Sequence, residues 1–326
     1  MPRNKPVVPV LCIVLLVLAI ASIRLGAVPI GFSDMVSRSD DLTHRIFVEI
    51  RLPRALLTIL VGASLGLGGV LLQGLFRNPI VEPGLIGTSS GAAFGAALYF
   101  VLGASFRFHA GEWTLPIAAC LGGALATALV FALAEGTQHE PTTTVLLVGI
   151  AVNALFMSGV GFLAYIARDP QARSITFWGL GTTSGATWRA VGMVAVALAV
   201  GLALSLRYAR HLNALMLGES EALGLGVDTV RLKRIVIALD VLVVAVATCF
   251  TGIIAFVGLI VPHLLRLLRG SDHRYLMLGS VLLGAIVLSA ADIAARMLLR
   301  PAELPIGIVT SAVGAPLFVF LLRRAT

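Results

Sequence analysis

Long apolar runs separated by short polar stretches make up almost the whole chain. A helix needs about 20 mostly apolar residues to cross the ~30 Å hydrocarbon core of a bilayer. Runs of this kind lie near residues 7–28, 54–75, 89–106, 115–135, 144–166, 188–207, 233–252, 255–268, 275–299 and 304–322. The pattern predicts an all-α polytopic membrane protein with about ten transmembrane helices. It also predicts a single transmembrane domain over residues 1–326.

The apolar sequence between residues 233 and 268 is too long for one crossing. As a single helix it would extend about 50 Å at ~1.5 Å per residue, which is more than tilting accommodates. Gly252, Gly258 and Pro262 offer three places to interrupt it. We therefore expect a full span followed by a short one.

The stretch RNPIVEPG, residues 77–84, separates two of the apolar runs. Its two prolines do not continue a helix, and Arg77 and Glu82 require water or a polar partner. We interpret the stretch as the turn that ends the second helix and begins the third. A scaffold role is favoured over direct contact with a substrate.

Composition agrees with the membrane class and indicates close helix packing. Charged residues are 12% of the chain, against roughly 25% in soluble domains. There are 34 glycines, and Gly62 with Gly66 and Gly91 with Gly95 have the small-xxx-small spacing that lets helices approach closely in lipid. Packing inside one subunit is favoured for both pairs over a seam between two subunits.

No catalytic or metal-binding set is readable in the sequence. Cys12, Cys120 and Cys249 are far apart in apolar segments, and the six histidines have no ligand spacing. The chain contains no G-x-x-x-x-G-K-[ST] phosphate-binding loop. We expect no catalytic residue, no metal and no permanently bound cofactor, so the protein is not expected to be an enzyme.

Arginine supplies almost all of the positive charge, because the only lysines are Lys5 and Lys233 and the net charge is +8. In a membrane protein this excess indicates loops that face anionic lipid, so nucleic acid is not an expected partner. An even number of spans puts both termini on one side, and their basic ends indicate the cytoplasm. Arginine and lysine are divided almost evenly between the two sides, so the positive-inside rule orients the chain only weakly.

Several arginines lie at helix ends on the side opposite the termini and call for a reason. They are Arg51, Arg54, Arg296 and Arg300, with Arg168 and Arg173 in a loop. One interpretation is that these arginine side chains reach from the helix ends to the membrane interface and pair with nearby acids. The candidate acids are Asp40, Asp41 and Glu303. The other is a basic platform for an acidic partner or an anionic substrate.

Four blocks of the sequence resemble the FecCD-type permeases, the membrane subunits of ABC importers for haem, ferric siderophores and cobalamin. In order they are RLPRALLTILVGASLGLGGVLLQGLFRNPIVEPGLIGTSSGA, LGESEALGLGVD, IIAFVGLIVPHLLRLLRGSDHRYLMLG and ADIAARMLLRPAELPIGIVTSAVGAPLFVFLLRR. The resemblance implies a homodimer around a central translocation path in the bacterial inner membrane. It also implies two separate ATPase subunits, which use ATP and Mg, on the cytoplasmic side, and a periplasmic substrate-binding protein.

The resemblance also implies roles for particular residues. The binding protein would dock on Arg51, Arg54 and Arg296. A cytoplasmic coupling segment at about 208–232 would carry the ATPase contact, at Gly218, Glu219, Ala222, Leu223 and Gly224. Its sequence predicts two short helices separated by glycine. Thr142 and Thr143 match the cytoplasmic gate, and Asn153 either lines the path or makes a packing or interhelical contact.

The substrate and the class have alternatives. Within the family the chain looks most similar to haem permeases, with a ferric siderophore or cobalamin as the next candidates. A proton-driven secondary transporter is a different class, and in it Asp240 would be the proton site. Pairing of Asp240 within the bundle is favoured instead. Asp292 is expected to pair with Arg296 one helical turn away.

Overall fold

The computed structural model describes residues 7–26, 42–105, 111–134 and 141–325, and these residues form twelve helices. The helices are α1 (Val7–Arg24), α2 (Leu42–Leu75), α3 (Thr88–Ser105), α4 (Thr114–Ala134), α5 (Pro141–Ile166), α6 (Gln171–Gly179), α7 (Trp188–Leu215), α8 (Glu219–Gly224), α9 (Thr229–Thr251), α10 (Val257–Arg269), α11 (His273–Met297) and α12 (Ile306–Ala325). Helix α2 includes a π-helical turn at Ile46–Arg51. No strand occurs among the described residues, so the all-α prediction is confirmed.

Seven helices in the described part of the chain are long and apolar enough to cross a membrane: α1, α2, α4, α5, α7, α9 and α11. Helices α3 and α12 are apolar but shorter, and α10 has 13 residues. These helices follow the order of the ten predicted spans, while the number of crossings stays a prediction. The short helix α6 was not predicted, because nine residues give too few turns for a recognisable period.

Helix α2 runs through the centre of the bundle. Most of its residues from Pro53 to Leu75 are buried, as expected for a helix that is apolar on all sides. It packs against α7, α9, α10 and α11, while α3, α4 and α5 form a second group beside α9. Helix α7 connects the two ends of the bundle, which we call the α6 end and the α8 end after the short helices before and after it.

The two glycine pairs place helices in direct backbone contact. A Cβ added to Gly62 would collide with the carbonyl oxygen of Gly284 on α11, and one added to Gly66 would collide with that of Ser280. The second pair, on α3, contacts α4 equally closely. Both pairs therefore pack within one chain, which confirms the prediction.

The long apolar segment is interrupted between α9 and α10. Helix α9 ends before Gly252, which has φ +73°, and α10 begins after Phe256, which has φ +69°. The backbone N–H of Thr182 donates to the carbonyl of Thr251 at 2.7 Å. The segment after α6 therefore supplies a donor for a carbonyl at the interrupted end of α9. The predicted division is confirmed at the first of its three candidate positions, and the other two lie inside α10.

We predict that Gly66→Val strongly destabilises the fold. The new side chain meets a backbone carbonyl, which cannot move aside, and overpacking of this kind costs about 1–3 kcal/mol or more. Thermal unfolding of the purified protein should show a melting temperature lower by several degrees, or a loss of folded protein. Gly192→Val on α7 is the matched control, because nothing lies within 4 Å of an added Cβ there. Equal melting temperatures for the two variants would contradict the packing account.

Candidate functional site

A buried ionic cluster at the α6 end is centred on the carboxylate of Asp292 on α11. Nε and Nη2 of Arg54, on α2, donate to Asp292 Oδ1 at 3.1 and 3.0 Å. Arg296 Nη2 forms an ion pair with Oδ2 at 3.0 Å, which confirms the expected pairing one turn apart. The hydroxyl of Thr183 also donates to Oδ1, at 2.8 Å. The fully buried charge is thus compensated by two cations and a hydroxyl.

Two arginines of the cluster also hold the C-terminal end of α1. Arg296 Nη1 donates to the carbonyls of Ser22 and Leu25 at 3.0 and 2.9 Å, and its Nη2 donates to Ser22 Oγ at 2.8 Å. Arg51 Nη1 donates to the carbonyls of Ile23 and Leu25. The last turn of a helix leaves carbonyls without partners and carries partial negative charge. The two guanidinium groups therefore cap α1.

Glu303, in the connection between α11 and α12, covers the remaining side of Arg54. Arg54 Nη1 donates to Glu303 Oε2 at 2.8 Å; the arginine side chain is 10% exposed and the glutamate side chain 45% exposed. A local pair of this kind was one of the two interpretations of the helix-end arginines, and it is confirmed for Glu303. The other two acids considered, Asp40 and Asp41, lie outside the described residues.

The structure brings the three predicted docking residues into one cluster, but it buries them. Arg51, Arg54 and Arg296 are 8%, 9% and 6% exposed. The sequence did not indicate this burial, because the described partners of Arg51, and some of those of Arg296, are backbone carbonyls at the end of α1, which carry no residue-specific signal. Docking on these arginines stays a prediction, and their internal role is what the geometry shows directly.

At the α8 end, the five predicted coupling residues form one short unit. Gly218 has φ +138° and precedes α8, in which Ala222 is fully buried and Leu223 is 58% exposed. Glu219 Oε1 forms an ion pair with Lys233 Nζ at 2.6 Å, which joins α8 to α9. The unit is thus anchored to the bundle by one face and by one ion pair.

The outer surface of this unit combines exposed leucines with the exposed polar side chains of Ser220 and Glu221. Leu217 and Leu225, which flank α8, are 68% and 64% exposed. We expected two short helices here, and this was wrong. The first of them is the end of α7, which continues to Leu215, because Leu212 and Leu215 are fully buried against the bundle.

The predicted gate and path residues lie on α5. Thr143 is exposed, and the side chain of Thr142 lies outside the described residues. Asn153 Nδ2 donates to the carbonyl of Gly84 at 3.0 Å, and its Oδ1 accepts a hydrogen bond from the hydroxyl of Ser90. The interhelical contact expected as one alternative for Asn153 is confirmed, while its path-lining role stays a prediction.

The RNPIVEPG turn is hydrogen-bonded to the start of α10. Glu82 Oε1 accepts a hydrogen bond from the backbone N–H of Phe256 at 2.7 Å. Gln73 Nε2 donates to the carbonyl of Gly258 at 3.2 Å, and Arg266 donates to Gln73 Oε1. The Glu82 contact satisfies a backbone N–H at the helix break, which supports the scaffold interpretation of the turn. Gln73, in α2, satisfies the Gly258 carbonyl, for which Pro262 supplies no N–H. Burial raises the pKa of Glu82 to about 7, although the Phe256 N–H acts in the opposite direction.

Asp240 on α9 is completely buried, and neither of its carboxyl oxygens has a hydrogen-bond partner among the residues that the structure describes. Its Oδ1 lies beside Gly68, where an added Cβ would be 2.7 Å away. The expected pairing within the bundle is therefore wrong for this part of the chain. The absence of a side chain at Gly68 is what makes room for the carboxyl group.

Comparison with known proteins places the chain in a family. The model of the FecCD transport family matches residues 14–324. The hemin transport system permease protein HmuU of Yersinia pestis is 38% identical over 96% of this chain and 94% of its own length. The cobalamin import system permease protein BtuC of Halobacterium salinarum is 43% identical over 84% of this chain and 72% of its own length. The chain belongs to the FecCD transport family and is a membrane-spanning ABC transporter permease.

A solved structure agrees with this assignment. A metal-chelate type ABC transporter in an inward-facing conformation superposes with a TM-score of 0.87 and 34% sequence identity. The match covers 97% of this chain and 98% of the other. The permease fold is therefore shared over essentially the full length of the chain.

We predict that Arg296→Ala destabilises the protein. The change removes one of the two cations on Asp292 and two donors to the end of α1, and breaking a buried pair costs about 3–5 kcal/mol. Thermal unfolding should therefore show a melting temperature lower by several degrees. The exposed Arg168→Ala is the control and should stay close to wild type. A wild-type melting temperature for Arg296→Ala would refute the capping role.

A second prediction concerns Glu82 and pH. Its pKa of about 7 lies above the ordinary value of 4.5, so the folded protein binds this proton more tightly than the unfolded chain does. The resulting stabilisation is complete below about pH 4.5 and is lost as the pH rises through 7. Glu82→Gln keeps an acceptor for Phe256 but cannot titrate. Between pH 5 and 7.5 its melting temperature should fall less steeply than that of wild type.

The exposed Glu112→Gln is the control and should keep the wild-type slope. Equal slopes for wild type and Glu82→Gln would show that Glu82 does not carry this pH dependence.

Proposed function

We propose that the chain is the permease subunit of an ATP-driven importer that moves haem from a periplasmic binding protein to the cytoplasm. The observation that carries the proposal is the pairing of two features at opposite ends of one bundle. An arginine cluster lies at the α6 end, and an anchored short helix with exposed leucines on and beside it lies at the α8 end. The family membership and the missing phosphate-binding loop are consistent with ATP hydrolysis in a separate subunit.

Orientation and partners follow from the same arrangement. We place the α8 end and both termini in the cytoplasm and the chain in the bacterial inner membrane. Two ATP-binding subunits, which use ATP and Mg, would contact α8, and the periplasmic binding protein would dock at the α6 end on Arg51, Arg54 and Arg296. In this arrangement Thr142 and Thr143 form the cytoplasmic gate and Asn153 lines part of the path.

A second copy of the chain would complete the path. Helix α5 is long and apolar, yet only 17% of the residues in its most apolar 18-residue stretch are buried within the chain. Among its exposed side chains are those of Leu147, Leu155 and Phe162. A homodimer that brings two α5 helices together around a central path would use this surface, and the remainder would face lipid.

The contacts suggest how movement at α8 reaches the other end. The Glu219–Lys233 pair joins α8 to α9, and the far end of α9 is hydrogen-bonded to the segment after α6 through Thr182. The carbonyls of Leu180 and Gly181, just after α6, in turn accept hydrogen bonds from the first N–H groups of α12. A displacement of α8 by the ATPases would therefore move α6, α9 and α12 together, as in shear transitions between packed helices.

Haem is favoured as the substrate by the similarity to HmuU and by its chemistry. Haem is flat and apolar and carries two carboxylates, so an apolar path below an arginine-rich end suits it. Cobalamin is the second candidate, because the Halobacterium salinarum cobalamin permease is also closely similar. A ferric siderophore would suit the same end of the protein.

The test is uptake into proteoliposomes that contain the permease with its ATPase subunits. The binding protein is supplied with haem, cobalamin or a ferric siderophore, with and without ATP. ATP-dependent accumulation of haem alone is the expected result. Accumulation of another chelate would retain the importer and reject haem. Uptake driven by a proton gradient without ATP would overturn the importer and favour a proton-coupled transporter.

We predict that Glu219→Arg uncouples ATP hydrolysis from transport. The change places two cations together at the joint between α8 and α9, so the ratio of substrate transported to ATP hydrolysed should fall at least fivefold. Adding Lys233→Glu restores opposite charges and should recover much of the ratio. A double variant as impaired as Glu219→Arg alone would show that the ion pair is not the relevant contact.

A further inference from the structure

The docking role proposed for Arg54 meets an obstacle in the structure. Its guanidinium group is already satisfied by two carboxylates of the same chain, and its side chain is only 10% exposed. Glu303 covers the Nη1 side of Arg54, so an acidic residue of a partner makes full contact with Nη1 when this carboxylate leaves. The two differ sharply, because Asp292 is fully buried whereas the Glu303 side chain is 45% exposed.

Of the hydrogen bonds described for the cluster arginines, the one between Arg54 and Glu303 involves an exposed carboxylate, and the charge of Glu303 also acts on Arg51 and Arg296. Arg54 uses Nε and Nη2 for Asp292, and Nη1 donates to Glu303 Oε2. The donors of Arg296 are committed to Asp292 and to the end of α1, and Arg51 Nη1 is committed to carbonyls of α1. Freeing those donors would expose helix-end carbonyls, whereas freeing Arg54 Nη1 requires only one side chain to swing away.

The setting of Glu303 allows this movement. It lies in the exposed connection between α11 and α12, and the next residue is fixed, since the N–H of Leu304 donates to the carbonyl of Ala295 at 3.0 Å. The backbone can therefore stay in place while the glutamate side chain rotates toward solvent. Arg300, in the same connection, is exposed and adds positive charge at this edge.

We propose that Glu303 is a built-in competitor for the docking site: it occupies Arg54 Nη1 in the free permease, and a carboxylate of the acidic docking partner replaces it. This proposal rests on the proposed docking function. The exchange substitutes one carboxylate for another on Nη1, while Asp292 stays paired with Nε and Nη2 of Arg54. It also raises selectivity, because an anion that cannot displace Glu303 gains no contact with Arg54.

The experiment measures binding of the purified substrate-binding protein to the permease–ATPase complex in nanodiscs. Glu303→Gln keeps the size of the side chain but removes the competing charge. The affinity of the permease for the binding protein should increase about tenfold, because Arg54 no longer has to be released from Glu303 before docking. Glu112→Gln, which removes an acid paired with Arg189 at the same end, is the matched control and should change the affinity less than twofold. If Glu303→Gln does not fold, Glu303→Asp, which shortens the reach to Arg54, replaces it.

Arg54→Gln, alone and combined with Glu303→Gln, separates the possible failures. Arg54→Gln also removes a cation from the buried Asp292, so its binding is compared in folded protein, and Arg54→Lys, which keeps a positive charge, replaces it if it does not fold. Weaker binding by this folded variant, with no gain from Glu303→Gln in that background, supports competition for Arg54. If Arg54→Gln weakens binding but Glu303→Gln alone gives no gain, docking stands and the competitor is refuted. An equal gain with Glu112→Gln, or a gain that persists without Arg54, would also refute it. If Arg54→Gln leaves the affinity unchanged, docking at this cluster fails.

Discussion

The assembly of the α6 end depends on one buried charge. Asp292 lies inside a bundle of apolar helices, where a carboxylate without partners would be strongly destabilising. Its pair with Arg54 joins α2 to α11, Arg296 adds a second cation from α11 itself, and Thr183 adds the segment before α7. Because Arg296 also caps α1, the same charge determines where the first helix ends. Asp292 thus connects α1, α2, α11 and the segment before α7. The arginines that the family resemblance links with docking therefore have a structural role within the chain.

The interruption between α9 and α10 imposes a second constraint. Backbone groups released from a helix inside a membrane protein need partners within the protein. Here Thr182, Glu82 and Gln73 supply them, which ties the break to the α6 segment and to the turn after α2. The same helix α9 begins beside the coupling unit, where Lys233 meets Glu219. The contacts that stabilise the break therefore also connect the two ends of the permease.

Much of the fold was predictable because bilayer thickness and backbone chemistry leave strong signals. Apolar runs predicted the spans, and Gly252 predicted the break. The glycine spacings predicted the close approaches of α2 to α11 and of α3 to α4. What escaped prediction depends on tertiary contacts. The continuation of α7 to Leu215 follows from burial, and Asp240 lies beside Gly68 with no hydrogen-bond partner among the described residues. Arg51 and Arg296 also donate to backbone carbonyls, and Arg54 also pairs with Asp292, which is distant in sequence. The residue types indicated which positions carry charged side chains, but not whether those side chains are buried inside the bundle.

The most direct test is a cryo-EM structure of the complete transporter with its binding protein docked, compared with a structure of the undocked complex. In the docked state, Arg54 Nη1 should contact a carboxylate of the binding protein, and Glu303 should point to solvent. The contacts of Arg296 with Asp292 and with the end of α1 should be the same in both states. A docked complex that retains the Arg54–Glu303 pair, with the binding protein seated on other residues, would contradict the account.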